Sequence, residues 1–182
     1  MKALRMLLTV IAVLFILYFL VLAYHGMFGK VKVTEKQMGP FTIVYESYTG
    51  DYKNTGKIFM KVYKDLEKVG IKTINSIGIY YDNPDLVAKD KLRSDLGCVL
   101  EEKDLAKAEE LKTKFKVMVI EKKDAVVAEF PLKSPLSFML APIKAYPVLE
   151  KYLQDKNLQP VRMYEFYDMK NKKILITAEV QK

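Results

Sequence analysis

One histidine, one cysteine and no tryptophan occur among 182 residues. The lone Cys98 excludes an internal disulfide and any cysteine-rich metal site. It falls in an apolar alternation of Leu96, Cys98 and Leu100, where a small buried residue fits. The lone His25 lies beside a long apolar run, so everything after it lacks an imidazole. That excludes Ser–His and Cys–His catalysis, histidine-rich zinc sites and a histidine-ligated haem. No metal and no cofactor is expected.

Charge is absent from Met6 to Tyr24, where MLLTVIAVLFILYFLVLAY holds one threonine and otherwise apolar or aromatic residues. Nineteen residues at about 1.5 Å each span roughly 28 Å, close to the ~30 Å hydrocarbon core of a bilayer. Lys2 and Arg5 flank one end, with Tyr18 and Tyr24 toward the other. A cleaved signal would carry a shorter apolar core and a small-x-small cleavage site, and LAYHGMF offers none. A buried core helix would show a polar face, and this run has none. The sequence therefore predicts a single-pass transmembrane anchor over residues 1–27, with residues 6–24 in the membrane. A stem over 28–37 and a soluble domain over 38–182 follow. Lys2 and Arg5 oppose Lys30, Lys32 and Lys36 across the membrane, so the positive-inside rule sets no side. A bacterial source would place the domain outside the cytoplasm.

The net charge of +8 divides evenly. Residues 1–36 carry five basic groups and one acid, and the remainder carries 25 and 21. A mildly basic surface of mixed sign reads as a solvated face, with no nucleic-acid partner expected.

Beyond Met38 the pattern alternates between strands and helices. Phe41–Tyr48 reads as a strand rich in aromatic and β-branched residues. Asn54–Val69 reads as an amphipathic helix with Ile58, Phe59, Val62, Tyr63, Leu66 and Val69 on one face, stopped at Gly70. Strands follow at Ser76–Tyr81 and Leu92–Leu100, then a charged segment over Glu101–Lys114. A hairpin is expected from Phe115–Glu121 and Ala125–Phe130. Ser134-Pro135 opens a helix to about Asp155 that Pro142 and Pro147 should kink or split. Val161–Asp168 and Lys173–Val180 complete the strands.

The halves echo each other. Val44/Glu46 matches Val127/Glu129, and Tyr81-Asp82 matches Tyr167-Asp168. The expected fold is α+β, a duplicated strand–helix–strand–strand unit with repeats at about 38–100 and 115–182. Helices should cover one sheet face, leaving a groove on the other.

The segments MGPFTIVYESYTGDYKNTGKIF, IGIYYDNPDLVAKDKLRSDLGCVL, FPLKSPLSFMLAPIKAYPVLEKYL and RMYEFYD resemble the GyrI-like (SOUL-like) small-molecule-binding domain family. The resemblance runs from about residue 38 to 182. It is strongest to the membrane-anchored branch typified by the testis-expressed ER-phagy receptor of animals. That receptor has a disordered tail with an adaptor-binding motif. This chain ends at Lys182 directly after its last expected strand, so the receptor role is not carried over. The resemblance implies an effector-binding groove for cationic or amphipathic compounds, facing a buried glutamate that matches Glu165. In other relatives a groove glutamate hydrolyses strained, cyclopropane-bearing compounds.

The residues give their own reasons. Alternation places Met163, Glu165 and Tyr167 on one face of a strand, with Tyr164 and Phe166 on the other. A carboxylate on an aromatic face is desolvated and favours protonation or a cationic partner. Tyrosine supplies apolar area with a polar tip, which suits amphipathic ligands. The expected ligand-binding set is Glu165, Tyr167, Tyr81, Tyr48 and Met163. Glu46 and Glu129 are assigned surface or structural roles, and Arg93 a fold-holding role with Asp82 or Asp95. The function expected is a membrane-tethered module that binds an amphipathic or cationic small molecule. A hydrolase with Glu165 as catalytic base, or a membrane-tethered protein-interaction scaffold, stands as the alternative.

Overall fold

A computed structural model describes residues 1–181. The apolar run forms α1 (Lys2–Tyr24), none of whose residues is buried. The next elements are β1 (Lys32–Met38), β2 (Phe41–Thr49), α2 (Thr55–Lys68), β3 (Ser76–Tyr80) and β4 (Arg93–Val99). The remainder comprises α3 (Ala108–Leu111), β5 (Lys116–Ile120), β6 (Lys123–Pro131), α4 (Leu136–Asp155), β7 (Pro160–Asp168) and β8 (Lys173–Val180).

Among the described residues, all eight strands join one antiparallel sheet in the order β1-β6-β8-β7-β3-β4-β2-β5. The order reads the same from either end if β6-α4-β7-β8 is laid on β2-α2-β3-β4. The duplicated unit is therefore present, with its pseudo-twofold axis between β3 and β7. Each unit's leading strand crosses over: β1 pairs with β6, and β5 pairs with β2.

The stem expected over 28–37 is corrected by β1, whose residues from Lys32 onward pair with β6 from Glu129 to Lys123. Period-two polarity in KVTEKQM is weak because the strand lies at a sheet edge, with one side toward solvent. Its Val33 packs toward α4, while Met38 enters the cluster on the other face.

The register of the echo also needs correcting. Val44 packs under Val62 and Leu66 of α2, whereas Val127 lies with Ile77 and Tyr164 on the opposite face. A one-residue slip exchanges every side chain between faces, so matching Val44 to Val127 pairs residues that look in opposite directions.

Amphipathicity explains the helices. In α2, Val62 and Leu66 are buried and Phe59 and Tyr63 partly so, while lysines occupy the outer side. Each fully buried aliphatic side chain contributes roughly 1.5–3 kcal/mol. Gly70 follows the helix at φ +77°, a conformation that suits glycine. In α4, Ala145, Leu149 and Leu153 face β6 and β8, and Ala141 packs with Phe130 of β6 and Ile174 of β8. Pro142 and Pro147 lie inside this helix, and it continues through both rather than splitting. Each proline removes one backbone donor, and burial of the facing stripe offsets that loss.

The face without helices closes on itself. Met38 of β1 and Ile120 of β5, from opposite edges of the sheet, join Ile43, Ile77, Ile79, Val127, Tyr164 and Phe166 in one cluster. The expected groove on this face is replaced by packed core.

Candidate functional site

The two long helices divide the remaining face. α2 lies over β4 and β2, and α4 over β6 and β8. The central strands β3 and β7 therefore lie between the two helices. Alternation along β7 turns Glu165 and Tyr167 toward the helices, and Glu165 is 5% exposed.

Two phenols hold the carboxyl. Tyr167 donates to Oε2 at 2.6 Å, and Tyr146 of α4 donates to Oε1 at 3.1 Å. A third phenol, Tyr80 of β3, lies 3.2 Å from the Tyr167 hydroxyl. Aromatic rings enclose this chain of hydroxyls. Phe59 of α2 and Phe138 of α4 each meet the Tyr167 ring edge-on at 5.4 Å, and Tyr52 meets Tyr80 at 4.8 Å.

Among the described residues, no ion pair includes Glu165. Burial raises its pKa above the ordinary 4.5, and the bonds from Tyr167 and Tyr146 oppose that rise. Burial also raises Tyr146, Tyr167 and Tyr80, with the Glu165 charge adding to it. The phenols thus remain protonated donors. The arrangement offers one buried carboxyl, neutral donors and aromatic walls. It can accept a cation or hold its own proton.

The expected residues divide between this cluster and other places. Glu165 and Tyr167 stand at its centre. Met163 shares their face but packs beside Ala145 and Leu149 under α4. Tyr81 is outside the cluster: 52% exposed, it donates to Asp95 Oδ2 at 2.6 Å. Partial burial and that bond push its phenol up to about 12. Tyr48 lies in β2, separated from β7 by β3 and β4. Arg93 forms a fork with Asp82, from Nε at 3.0 Å and Nη2 at 2.8 Å, and holds the loop after β3. Glu46 meets Lys61, and Glu129 meets Lys36 and Lys173, as structural pairs.

Sequence reasoning missed Tyr80, Tyr146, Phe59 and Phe138 as members of the cluster. The signal for Tyr80 was present but misaligned. Gly78 lies directly across from Glu165 in the β3–β7 pairing, and Ser76 across from Tyr167. Matching Gly78 to Glu165 and Tyr80 to Tyr167 keeps faces consistent, while matching Tyr81 to Tyr167 does not. Tyr80 and Tyr167 are the symmetry mates, and their hydroxyls touch.

This architecture recurs in solved structures. The C-terminal domain of EcmrR superposes with a TM-score of 0.61 at 14% identity, over 84% of this chain and 98% of that one. SAV2435 bound to tetraphenylphosphonium gives 0.52 at 14% identity, over 82% of this chain and 94% of that one. The fold is GyrI-like.

No family model matches the chain. In sequence it is similar to testis-expressed protein 264 of Homo sapiens, 32% identical over 152 residues. Those residues are 79% of this chain and 47% of the human protein. The Mus musculus homolog is 29% identical over 152 residues, 48% of its length. The chain thus spans about half the length of the curated relatives it matches.

Proposed function

We propose that this chain is a membrane-anchored module whose GyrI-like domain binds an amphipathic, cationic small molecule in a groove centred on Glu165. The observation that carries this reading is the state of the carboxyl: buried, bonded only to neutral phenols, and without a cationic partner among the described residues. An isolated buried carboxylate is costly, and a ligand cation entering beside it removes that cost. Tyrosine faces add about 0.5–2 kcal/mol of cation–π attraction for each good contact. The tetraphenylphosphonium complex of SAV2435 supports the ligand class, since that molecule is a bulky apolar cation.

The membrane part of the proposal rests on α1. It has 23 residues, a mean hydropathy of 3.0 over its best window and no burial. The hydrogen-bonded set around Glu165 contains no second acid and no imidazole, so it supports binding more directly than activation of water.

Paired ions of matched shape test the proposal. The full chain in detergent micelles is titrated calorimetrically with tetraphenylphosphonium and with tetraphenylborate. Saturable binding of the cation alone is expected. Equal binding of both ions would show that apolar area, not the carboxyl, selects the ligand.

A further inference from the structure

The chain between α1 and the domain is fixed to the start of α4. Lys133 Nζ donates to the Tyr24 carbonyl at 2.6 Å and lies 4.6 Å from the Tyr24 ring centroid. His25 is buried, with Nδ1 3.4 Å from Ser134 Oγ. Leu22 and Met27 pack with Leu132, Leu136, Leu140 and Tyr167. The end of α1 is therefore seated beside the first turn of α4.

From that turn α4 presents an apolar outer face. Pro135, Phe138, Met139 and Ile143 are exposed, the last three at 41%, 67% and 62%, and Pro142 lies among them. At about 100° per residue these five positions fall within one side of the helix's first two turns, opposite the buried Ser137, Leu140 and Ala141. A soluble surface gives no reason to gather phenylalanine, methionine and isoleucine there.

Basic groups stand at the same end of the domain. The β7–β8 turn carries exposed Lys170 and Lys172, and the Lys172 carbonyl accepts from Leu132 N at 2.8 Å, next to Lys133. Exposed Met169 belongs to that turn as well. Apolar side chains with lysines at the same end, where a membrane helix leaves, match a phospholipid interface: hydrocarbon for the first, phosphates for the second.

We infer that the first two turns of α4, with the β7–β8 turn, form a docking face that rests in the bilayer interface beside α1. The inference rests on the anchor reading of α1. It bears on the site because Phe138 belongs to both places, on the docking face and against the Tyr167 ring. The outer cover of the Glu165 cluster then lies in the layer where amphipathic cations concentrate.

Depth-dependent quenching tests it on the full chain in nanodiscs of phosphatidylcholine and phosphatidylserine with acyl-brominated lipids. An environment-sensitive fluorophore is placed through Met139→Cys, Ile143→Cys, Leu14→Cys within α1, or Lys122→Cys at the far end of the sheet. Buried Cys98 provides the unlabelled background. Loss of fluorescence and a blue shift are expected at positions 14, 139 and 143, and neither at 122. Quenching at 14 with none at 139 and 143 overturns the docking face and leaves the anchor standing. No quenching at 14 overturns the anchor reading and this one with it. Energy transfer between labelled chains at 139 or 143 without lipid quenching assigns the face to a second copy, which also overturns the inference.

Discussion

Gly78 faces Glu165 across the β3–β7 pair, and the missing side chain at Gly78 is what leaves room for the Tyr80 ring. A Cβ at this position would stand 2.9 Å from both Cε2 and the hydroxyl of Tyr80. The carboxyl of one unit and the glycine of the other are thus complementary halves of a single feature on the pseudo-twofold axis. Symmetry of the backbone is kept, and symmetry of the chemistry is broken to leave one acid and not two.

Gly78→Ala should move the Tyr80 ring and break its contact with Tyr167. A phenol hydrogen bond contributes roughly 0.5–1.5 kcal/mol, so cation affinity should fall about three- to tenfold, since 1.4 kcal/mol is tenfold. Titration with tetraphenylphosphonium measures it. Unchanged affinity would show that Tyr80 takes no part in the site.

The raised pKa of Glu165 sets a direction for stability against pH. A carboxyl whose folded value lies above its unfolded value contributes stability below the unfolded value, near 4.5. That stability is lost as pH rises through the folded value. Glu165→Gln should therefore raise the melting temperature at pH 8, with the difference from wild type vanishing below pH 4.5. Each kcal/mol should appear as about 2–4 °C for a chain of this size. A variant that melts below wild type at pH 8, with the gap closing in acid, would mean that the carboxylate is stabilised in the fold.

Adjacent tyrosines should behave differently. Tyr80→Phe removes a hydroxyl that touches Tyr167 and should weaken cation binding severalfold, within the roughly 0.5–1.5 kcal/mol of one hydrogen bond. Tyr81→Phe removes a bond to Asp95 away from the carboxyl and should leave affinity at the wild-type value. Parallel titrations separate the two, and a loss confined to Tyr81→Phe would place the site elsewhere.

The edge strand gives a prediction about domain limits. A fragment beginning at residue 28 retains β1, whereas one beginning at residue 39 exposes the edge of β6 and loses the Lys36–Glu129 pair. An exposed apolar edge invites pairing with other chains. The longer fragment should elute as a single species in size-exclusion chromatography, and the shorter one should aggregate. Equal behaviour would make β1 dispensable.

Much of this was legible in the sequence. The apolar run marked α1, helical periodicity marked α2, and the Tyr-Glu-x-Tyr strand placed Glu165 beside Tyr167. What failed was parity. Short motifs such as Tyr-Asp align equally well one residue out, and only pairing distinguishes Tyr80 from Tyr81. Tyr146 was hidden because a helix side chain reaching a strand from across the fold leaves no local pattern. β1 was hidden because an edge strand with polar residues resembles a linker.

The central claim is that the Glu165 carboxyl selects a cationic ligand, and one titration tests it most directly. Tetraphenylphosphonium is titrated into the full wild-type chain and into Glu165→Gln, with circular dichroism verifying that both are folded. Removing the acid deletes the charge and keeps the shape. The account requires the affinity to fall by at least about tenfold, the equivalent of some 1.4 kcal/mol. Equal affinity in the two proteins would contradict it.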